Sequence, residues 1–153
     1  MQCTVNWTGG AAALGGSRSG MGFVAETGSG HLIVMDGAPD AAKPENGGAN
    51  LAPRPMETLL AGAGGCTAYD VVLILQRGRH DVRACKVVVT SERAPVDPKV
   101  FTKIHMHFVV AGPGLTDAAV ERAVRLSHEK YCSASIMLGK MADITTSFEI
   151  SPA

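Results

Sequence analysis

The fold is decided by one stretch, residues 55–77, which reads PMETLLAGAGGCTAYDVVLILQR. Pro55 suits the first position of a helix, and Glu57 falls in the first turn, where the helix dipole favours an acid. Arg77 and Gly78 supply a basic last turn and a closing glycine. We therefore predict a helix over residues 55–77. Because apolar residues extend around its whole circumference, we expect it to be central and buried on every side.

The same stretch is long enough to cross a membrane, which is the competing interpretation. Asp70 near its middle would cost about 2.5–3.5 kcal/mol on insertion. The glycines, threonines and tyrosine of the stretch add little hydrophobicity to offset that cost. We therefore prefer a core helix and expect no membrane partner.

Length, charge and cysteine content limit the classes of protein to which the chain could belong. The chain has 153 residues, the size of one domain, so we expect a single domain over residues 1–153. Fourteen basic residues balance fourteen acidic ones, so nothing indicates a nucleic-acid partner. We see no signal peptide and expect a cytoplasmic location, where thiols are kept reduced. Four cysteines without a C-x-x-C pair argue against a zinc ribbon and a thioredoxin motif.

Alternating and β-rich runs predict strands before and after the helix. They cover residues 2–7, 21–27, 31–35, 82–92, 100–111 and 144–150. Loops are expected over the glycine-rich residues 9–20 and the proline-rich residues 36–54. A second helix is predicted from an N-cap at Thr116 to Tyr131, and it continues or restarts at Cys132. This order gives an α+β fold with two helical units and a largely antiparallel sheet.

Cys66 is the first candidate for a reactive residue. Gly62, Gly64 and Gly65 precede it, which is unusual inside a helix. Each glycine costs about 0.8–1.0 kcal/mol relative to alanine in a helix interior. A second backbone, such as the other helix, could approach closely here. Alternatively, the helix breaks at Gly64-Gly65, and a new helix N-terminus lowers the pKa of the Cys66 thiol. In the third interpretation Cys66 is a small buried apolar residue.

Cys132 is the second candidate. If the helix continues, His128 lies four residues earlier on the same face, where an imidazolium stabilises a thiolate. Otherwise His128 is an exposed helix residue. Cys3 and Cys85 alternate with apolar residues in strands, so we expect both to be structural.

The histidine pair His105 and His107 shares one face of a predicted strand and could chelate a cation. No third ligand lies near the pair in the sequence. A solvated strand face is therefore favoured, and we predict no metal site. The glycine-rich segments also lack the patterns of nucleotide-binding loops.

The contexts of the two candidate cysteines resemble the OsmC/Ohr family of osmotically induced and organic-hydroperoxide-resistance proteins. The matching runs are Pro55-x-Glu57-x-Leu59, Gly65-Cys66 and Glu129-Lys130-Tyr131-Cys132-Ser133-x-Ser135. Within the family, the sequence is most similar to the YhfA-like branch. The runs that carry this similarity are Ala63-Gly64-Gly65-Cys66, Tyr69-Asp70-Val71-Val72 and Ser91-Glu92-Arg93. The resemblance covers nearly the whole chain. It implies an intertwined homodimer of OsmC-like fold, in which largely antiparallel sheets wrap around two central helices.

The resemblance also implies a reaction. Cys66 would be a peroxidatic cysteine that attacks an organic hydroperoxide and becomes a sulfenic acid. Cys132 would resolve the sulfenic acid as a disulfide, which a thiol donor of unknown identity reduces. No metal or organic cofactor is implied.

The chain departs from the family in the residues that activate the thiol. Ohr-type members place a glutamate ten residues before the reactive cysteine, where this chain has Met56, and Glu57 lies one place later. Arg18 and Arg54 are the candidates considered for the family's arginine, and neither matches its pattern. Glu57 and His128 are therefore only supporting candidates.

Two alternative functions would use the same pocket, at Cys66 and Cys132, without catalytic turnover. The protein would be a non-catalytic redox sensor, or it would bind small apolar or electrophilic ligands. A third, structural interpretation requires both Cys66 and Cys132 to be unreactive.

Overall fold

A computed structural model of the protein describes residues 1–8 and 20–152. The predicted loop over residues 9–20 therefore lies almost entirely outside the described residues, and so does Arg18. The chain divides into two compact units, one within residues 1–59 and the other from residue 60 onward. The boundary between the two units lies within the helix over residues 55–77.

The first unit contains a three-stranded antiparallel sheet in the order β1–β2–β3. Its strands are β1 (Cys3–Trp7), β2 (Phe23–Thr27) and β3 (Leu32–Met35), so the predicted strands are confirmed. Ala25 at the centre of β2 pairs with Val5 on one side and Ile33 on the other. Several large apolar side chains of this sheet are exposed, namely Val5, Trp7, Leu32 and Val34.

Asp36 organises the segment that follows β3. Its carboxylate accepts hydrogen bonds from the backbone N–H groups of Gly37 (2.7 Å), Ala49 (3.1 Å) and Leu51 (2.9 Å). The N–H of Leu51 contributes most to lowering the pKa of Asp36, and burial opposes the change. The predicted long loop is thus held by one carboxylate, and it contains a short 3₁₀ turn at Pro44–Asn46.

The long helix α1 spans Pro55–Arg77, as predicted. Glu57 caps its start, because its Oε2 accepts a hydrogen bond from the N–H of Arg54 at 2.9 Å. The helix continues without interruption through Gly64 and Gly65. The alternative in which it breaks at these glycines is therefore wrong.

The buried residues of α1 form one stripe along the helix, namely Ala63, Gly64, Thr67, Val71 and Leu75. Tyr69 lies away from this stripe and is 69% exposed. The expectation of burial on every side is thus not met within one chain. α1 is long and apolar enough to cross a membrane, with a mean hydropathy of 1.6. Core helices of soluble proteins also meet this criterion of length and composition.

The second unit contains another three-stranded sheet, in the order β4–β5–β6. Its strands are β4 (Ala84–Arg93), β5 (Phe101–Ala111) and β6 (Asp143–Ser151). β4 and β5 are antiparallel, whereas β6 runs parallel to β5. The α+β class is confirmed. The described residues form two small sheets, and the parallel pair β5–β6 departs from the antiparallel pattern.

A parallel pair needs a crossover connection, which here is helical. It consists of α2 (Asp117–Leu126), a π-helical turn at Ser127–Tyr131, and α3 (Ser133–Leu138). The predicted N-cap is confirmed, since Thr116 Oγ1 accepts from the N–H of Ala119 at 3.3 Å. The core of this unit includes buried residues of β5 and α2, namely Ile104, Met106, Phe108, Val110, Val120, Ala123 and Val124.

Candidate active site

Cys132 follows a widened helical turn. After α2 ends, the N–H of Cys132 donates to the carbonyl of Ser127 at 2.8 Å, which closes the π-helical turn. Cys132 itself is extended (φ −73°, ψ 99°), and its Sγ caps α3 by accepting from the N–H of Ser135 at 3.4 Å. The helix thus restarts after Cys132 rather than continuing through it. π-helical turns occur frequently at functional sites.

The fold brings the two candidate cysteines together. The Sγ atoms of Cys66 and Cys132 and a carboxylate oxygen of Asp70 all lie within 4.8 Å of one another. Cys132 is fully buried, whereas Cys66 and Asp70 are partly exposed. Asp70 was not among the predicted site residues. Its spacing of one helical turn from Cys66 on α1 was the signal that could have identified it.

A buried hydroxyl pair supports this cluster. Thr67 Oγ1 and Ser127 Oγ are 2.8 Å apart. Ser127 Oγ also lies 3.3 Å from the carbonyl oxygen of Thr67 and 3.3 Å from Asp70 Oδ2, and it can donate to either. These contacts connect α1 to the π-helical turn beside both cysteines.

The electrostatic environment disfavours the thiolate of Cys66. Burial raises the pKa of the Cys66 thiol, and the neighbouring Cys132 and the charge of Asp70 raise it further. The backbone N–H of Ala134, in the first turn of α3, acts in the opposite direction. The pKa is raised rather than lowered, so the lowered pKa expected from a helix break is wrong.

The glycines around Cys66 have different surroundings. A Cβ atom on Gly64 would lie 3.0 Å from Cγ2 of Val89, a residue of β4. At Gly62 and Gly65 a Cβ atom would meet no described atom within 4 Å. The close neighbour at Gly64 is thus a strand side chain rather than the backbone of a second helix.

The two supporting candidates lie in other settings. The carboxylate of Glu57 caps the start of α1, and on an unbroken helix nine residues turn it about 180° away from Cys66. His128 lies in the π-helical turn, where its Nδ1 is buried and has no hydrogen-bond partner among the described residues. Neither residue belongs to the group formed by Cys66, Asp70 and Cys132.

The histidine pair makes hydrogen bonds to hydroxyl groups of β6. His105 Nδ1 lies 2.7 Å from Thr145 Oγ1, and His107 Nδ1 lies 2.8 Å from Ser147 Oγ. Among residues 1–8 and 20–152, neither histidine belongs to a group of three metal-binding side chains. Of the remaining cysteines, Cys3 is exposed in β1 and Cys85 is partly buried in β4.

Comparisons with known proteins concern the family and the fold of the chain. Residues 47–147 match the family model described as OsmC-like protein. Protein YhfA of Escherichia coli (strain K12) is 48% identical over 153 residues, which is 100% of both chains. A hypothetical protein from Aquifex aeolicus VF5, whose crystal structure is known, is 27% identical, with a TM-score of 0.75 over 99% of this chain and 96% of that one.

A more distant structure has the same fold. It is an organic hydroperoxide resistance protein OsmC from Legionella pneumophila, 18% identical, with a TM-score of 0.63 over 97% of this chain and 95% of that one. The resemblance of the chain to this family, and to its YhfA-like branch, is confirmed. The chain belongs to the family of OsmC-like proteins.

Proposed function

We propose that this protein is a thiol-dependent peroxidase that reduces organic hydroperoxides with Cys66 and Cys132, in defence against oxidative stress. The observation that carries the proposal is that the two Sγ atoms, from separate elements of the chain, lie within 4.8 Å of each other. Membership of the family supports it, because a relative of the same fold is named an organic hydroperoxide resistance protein.

Cys66 performs the first step, because it is the more accessible of the two cysteines. Its thiolate attacks the outer oxygen of the hydroperoxide, and the O–O bond breaks. The leaving alkoxide takes up a proton and departs as an alcohol, while Cys66 becomes a sulfenic acid. The N–H of Ala134 favours the attacking thiolate, whereas burial and Asp70 oppose it, so the rate rises with pH.

Cys132 performs the second step. Its sulfur attacks the sulfur of the sulfenic acid, hydroxide leaves and is protonated to water, and a disulfide forms. Two electrons have then passed from the two thiols to the peroxide, and an external thiol donor returns them. To reach the bonding distance of about 2.05 Å, the two sulfurs, now within 4.8 Å of each other, move closer together.

We further propose that the protein acts in the cytoplasm as an intertwined homodimer. The support is apolar surface that one chain leaves uncovered: Leu59 and Tyr69 on α1 are 53% and 69% exposed, and Trp7 on β1 is 61% exposed. A second copy would cover surface of this kind. Neither a nucleic acid nor a membrane is part of the proposal.

The test is the consumption of cumene hydroperoxide by the reduced protein in the presence of a metal chelator and a dithiol. We expect the wild type and a matched Cys85→Ser control to consume the peroxide at equal rates, and Cys66→Ser to show only the background rate. Equal rates for the wild type and Cys66→Ser would contradict the proposal.

The raised pKa of Cys66 favours one second candidate, a non-catalytic redox sensor or binder of small apolar ligands. A raised pKa lowers the fraction of thiolate, which is the nucleophile, and so slows attack on a peroxide. In that case the wild type, in the same assay, would consume the hydroperoxide no faster than the Cys66→Ser variant does. Repeated turnover above that background would exclude this candidate.

A further inference from the structure

The cluster of Cys66, Asp70 and Cys132 brings together three side chains that are all negative when ionised. Their ligating atoms lie within 4.8 Å of one another, and Cys132 is fully buried. Like charges at this separation repel, so the three groups cannot all be ionised without a counter-charge. A cation placed between them would convert this repulsion into attraction.

We propose that this cluster binds one zinc ion through the two sulfurs and a carboxylate oxygen. Thiolate and carboxylate are both ligands of Zn²⁺, and sites with three protein ligands leave the fourth tetrahedral position to water. With Zn–S bonds of about 2.3 Å, two ligating sulfurs lie about 3.7 Å apart, so the side chains need to converge by about 1 Å or less. No metal site was expected from the sequence, because the fold, rather than sequence spacing, assembles these ligands.

The surroundings of the cluster already orient its ligands. Ser127 Oγ lies 3.3 Å from Asp70 Oδ2 and can donate to it, and the N–H of Ser135 donates to Cys132 Sγ at 3.4 Å. Hydrogen bonds of this kind hold metal ligands in place and tune their donor strength. The site therefore has polar support for two of its three ligands.

Zinc binding would control access to the thiols. Each zinc ion displaces one proton from each cysteine, and the two thiolates are then bonded to the metal. Attack by a hydroperoxide on the zinc form consumes two protons and gives the disulfide, an alcohol, water and free Zn²⁺. Zinc would thus slow the reaction with peroxide, and oxidation would release the metal. The proposal of a zinc site rests on the separation of the three ligand atoms and does not depend on the peroxidase proposal.

The experiment uses the full-length reduced protein, without peroxide, titrated with Zn²⁺ against a chromophoric chelator. We expect one zinc per chain, with loss of binding in Cys66→Ser and in Cys132→Ser. Asp70→Asn should weaken binding by about tenfold or more, because even the loss of an outer partner costs about 10–100-fold. Cys85→Ser, whose thiol lies outside the cluster, should bind as the wild type does.

Substitution by Co²⁺ provides a second readout. We expect thiolate-to-cobalt charge-transfer absorption that disappears in both cluster cysteine variants, while circular dichroism confirms that each variant is folded. Undiminished zinc binding in folded Cys66→Ser, or no binding by the wild type at micromolar zinc, would overturn the site. Because the peroxidase assay contains a chelator, failure of either proposal is visible independently of the other.

Discussion

Thr67 and Ser127 join α1 to the π-helical turn through hydroxyl oxygens 2.8 Å apart, and their residues are 1% and 0% exposed. Ser127→Ala leaves the Thr67 hydroxyl buried without this partner. We expect the free energy of unfolding to fall by about 1–3 kcal/mol, the usual cost of an unsatisfied buried group. Denaturant titration measures this change.

Ser133→Ala is the matched control, because Ser133 is exposed at the start of α3. Its effect should stay within about 0.5 kcal/mol, as for most surface substitutions. Equal losses of stability in the two variants would show that the buried hydroxyl pair contributes nothing.

Replacement of the proposed resolving cysteine should trap an intermediate. In Cys132→Ser the first attack by Cys66 on a hydroperoxide proceeds, but no second thiol is present to form the disulfide. Without added dithiol, we expect one equivalent of peroxide to be consumed and a sulfenic acid to accumulate on Cys66, detected as a dimedone adduct by mass spectrometry. An equal yield of the adduct in the wild type would remove Cys132 from the mechanism.

Removal of the charge at Asp70 should change the pH dependence of Cys66. The carboxylate helps to raise the pKa of this thiol, so Asp70→Asn lowers that pKa and increases the thiolate fraction at neutral pH. We expect the midpoint of alkylation of Cys66 by iodoacetamide to shift to lower pH. Asp143→Asn, an exposed control on β6, should leave the midpoint in place. A shift of the midpoint to higher pH in Asp70→Asn would contradict the assigned effect of the charge.

The proposed homodimer can be tested on the uncovered face of α1. Tyr69 is 69% exposed, so Tyr69→Arg should leave the fold of one chain intact. At an interface, however, it would place a charge in apolar surroundings. We expect sedimentation to show a dimer for the wild type and a shift toward monomer for the variant. Glu149→Arg, at an exposed position of β6, provides the charged control. A monomeric wild type would refute the dimer.

Asp36 should make the segment between β3 and α1 sensitive to acid. Its pKa is lowered in the folded chain, so its contribution to stability is present above the ordinary carboxyl pKa and is lost as the pH falls through the lowered value. We expect amide exchange at Ala49 and Leu51, whose N–H groups it binds, to be faster in Asp36→Asn. Asp40→Asn is the control, because Asp40 binds Ala42 and Lys43 instead. Unchanged protection at Ala49 and Leu51 would contradict this role.

Local signals in the sequence predicted the elements that depend on local chemistry. Pro55, Arg77 and Gly78 mark the ends of α1, and Thr116 marks the start of α2, because caps are decided by a few neighbouring residues. The pairing of β6 with β5 could not be predicted in the same way. The apolar alternation of a strand indicates which face is buried, but it does not indicate the direction of its neighbour.

The candidate site was predictable in part. Cys66 and Cys132 stood out through their local contexts, but the addition of Asp70 depends on where the π-helical turn places Cys132. Such a turn has no clear sequence signature in a run that otherwise reads as helix. The single buried stripe of α1 was also hidden, because its apolar residues extend around the helix and do not show which face the same chain covers.

The parallel pairing of β6 with β5 has a consequence for the order of folding. The crossover between these strands is helical, and its contacts within α2 and α3 are local in sequence. Contacts between strands that are distant in sequence form late, because the entropy of closing the intervening chain is lost first. We therefore expect α2 and α3 to form before β6 pairs with β5.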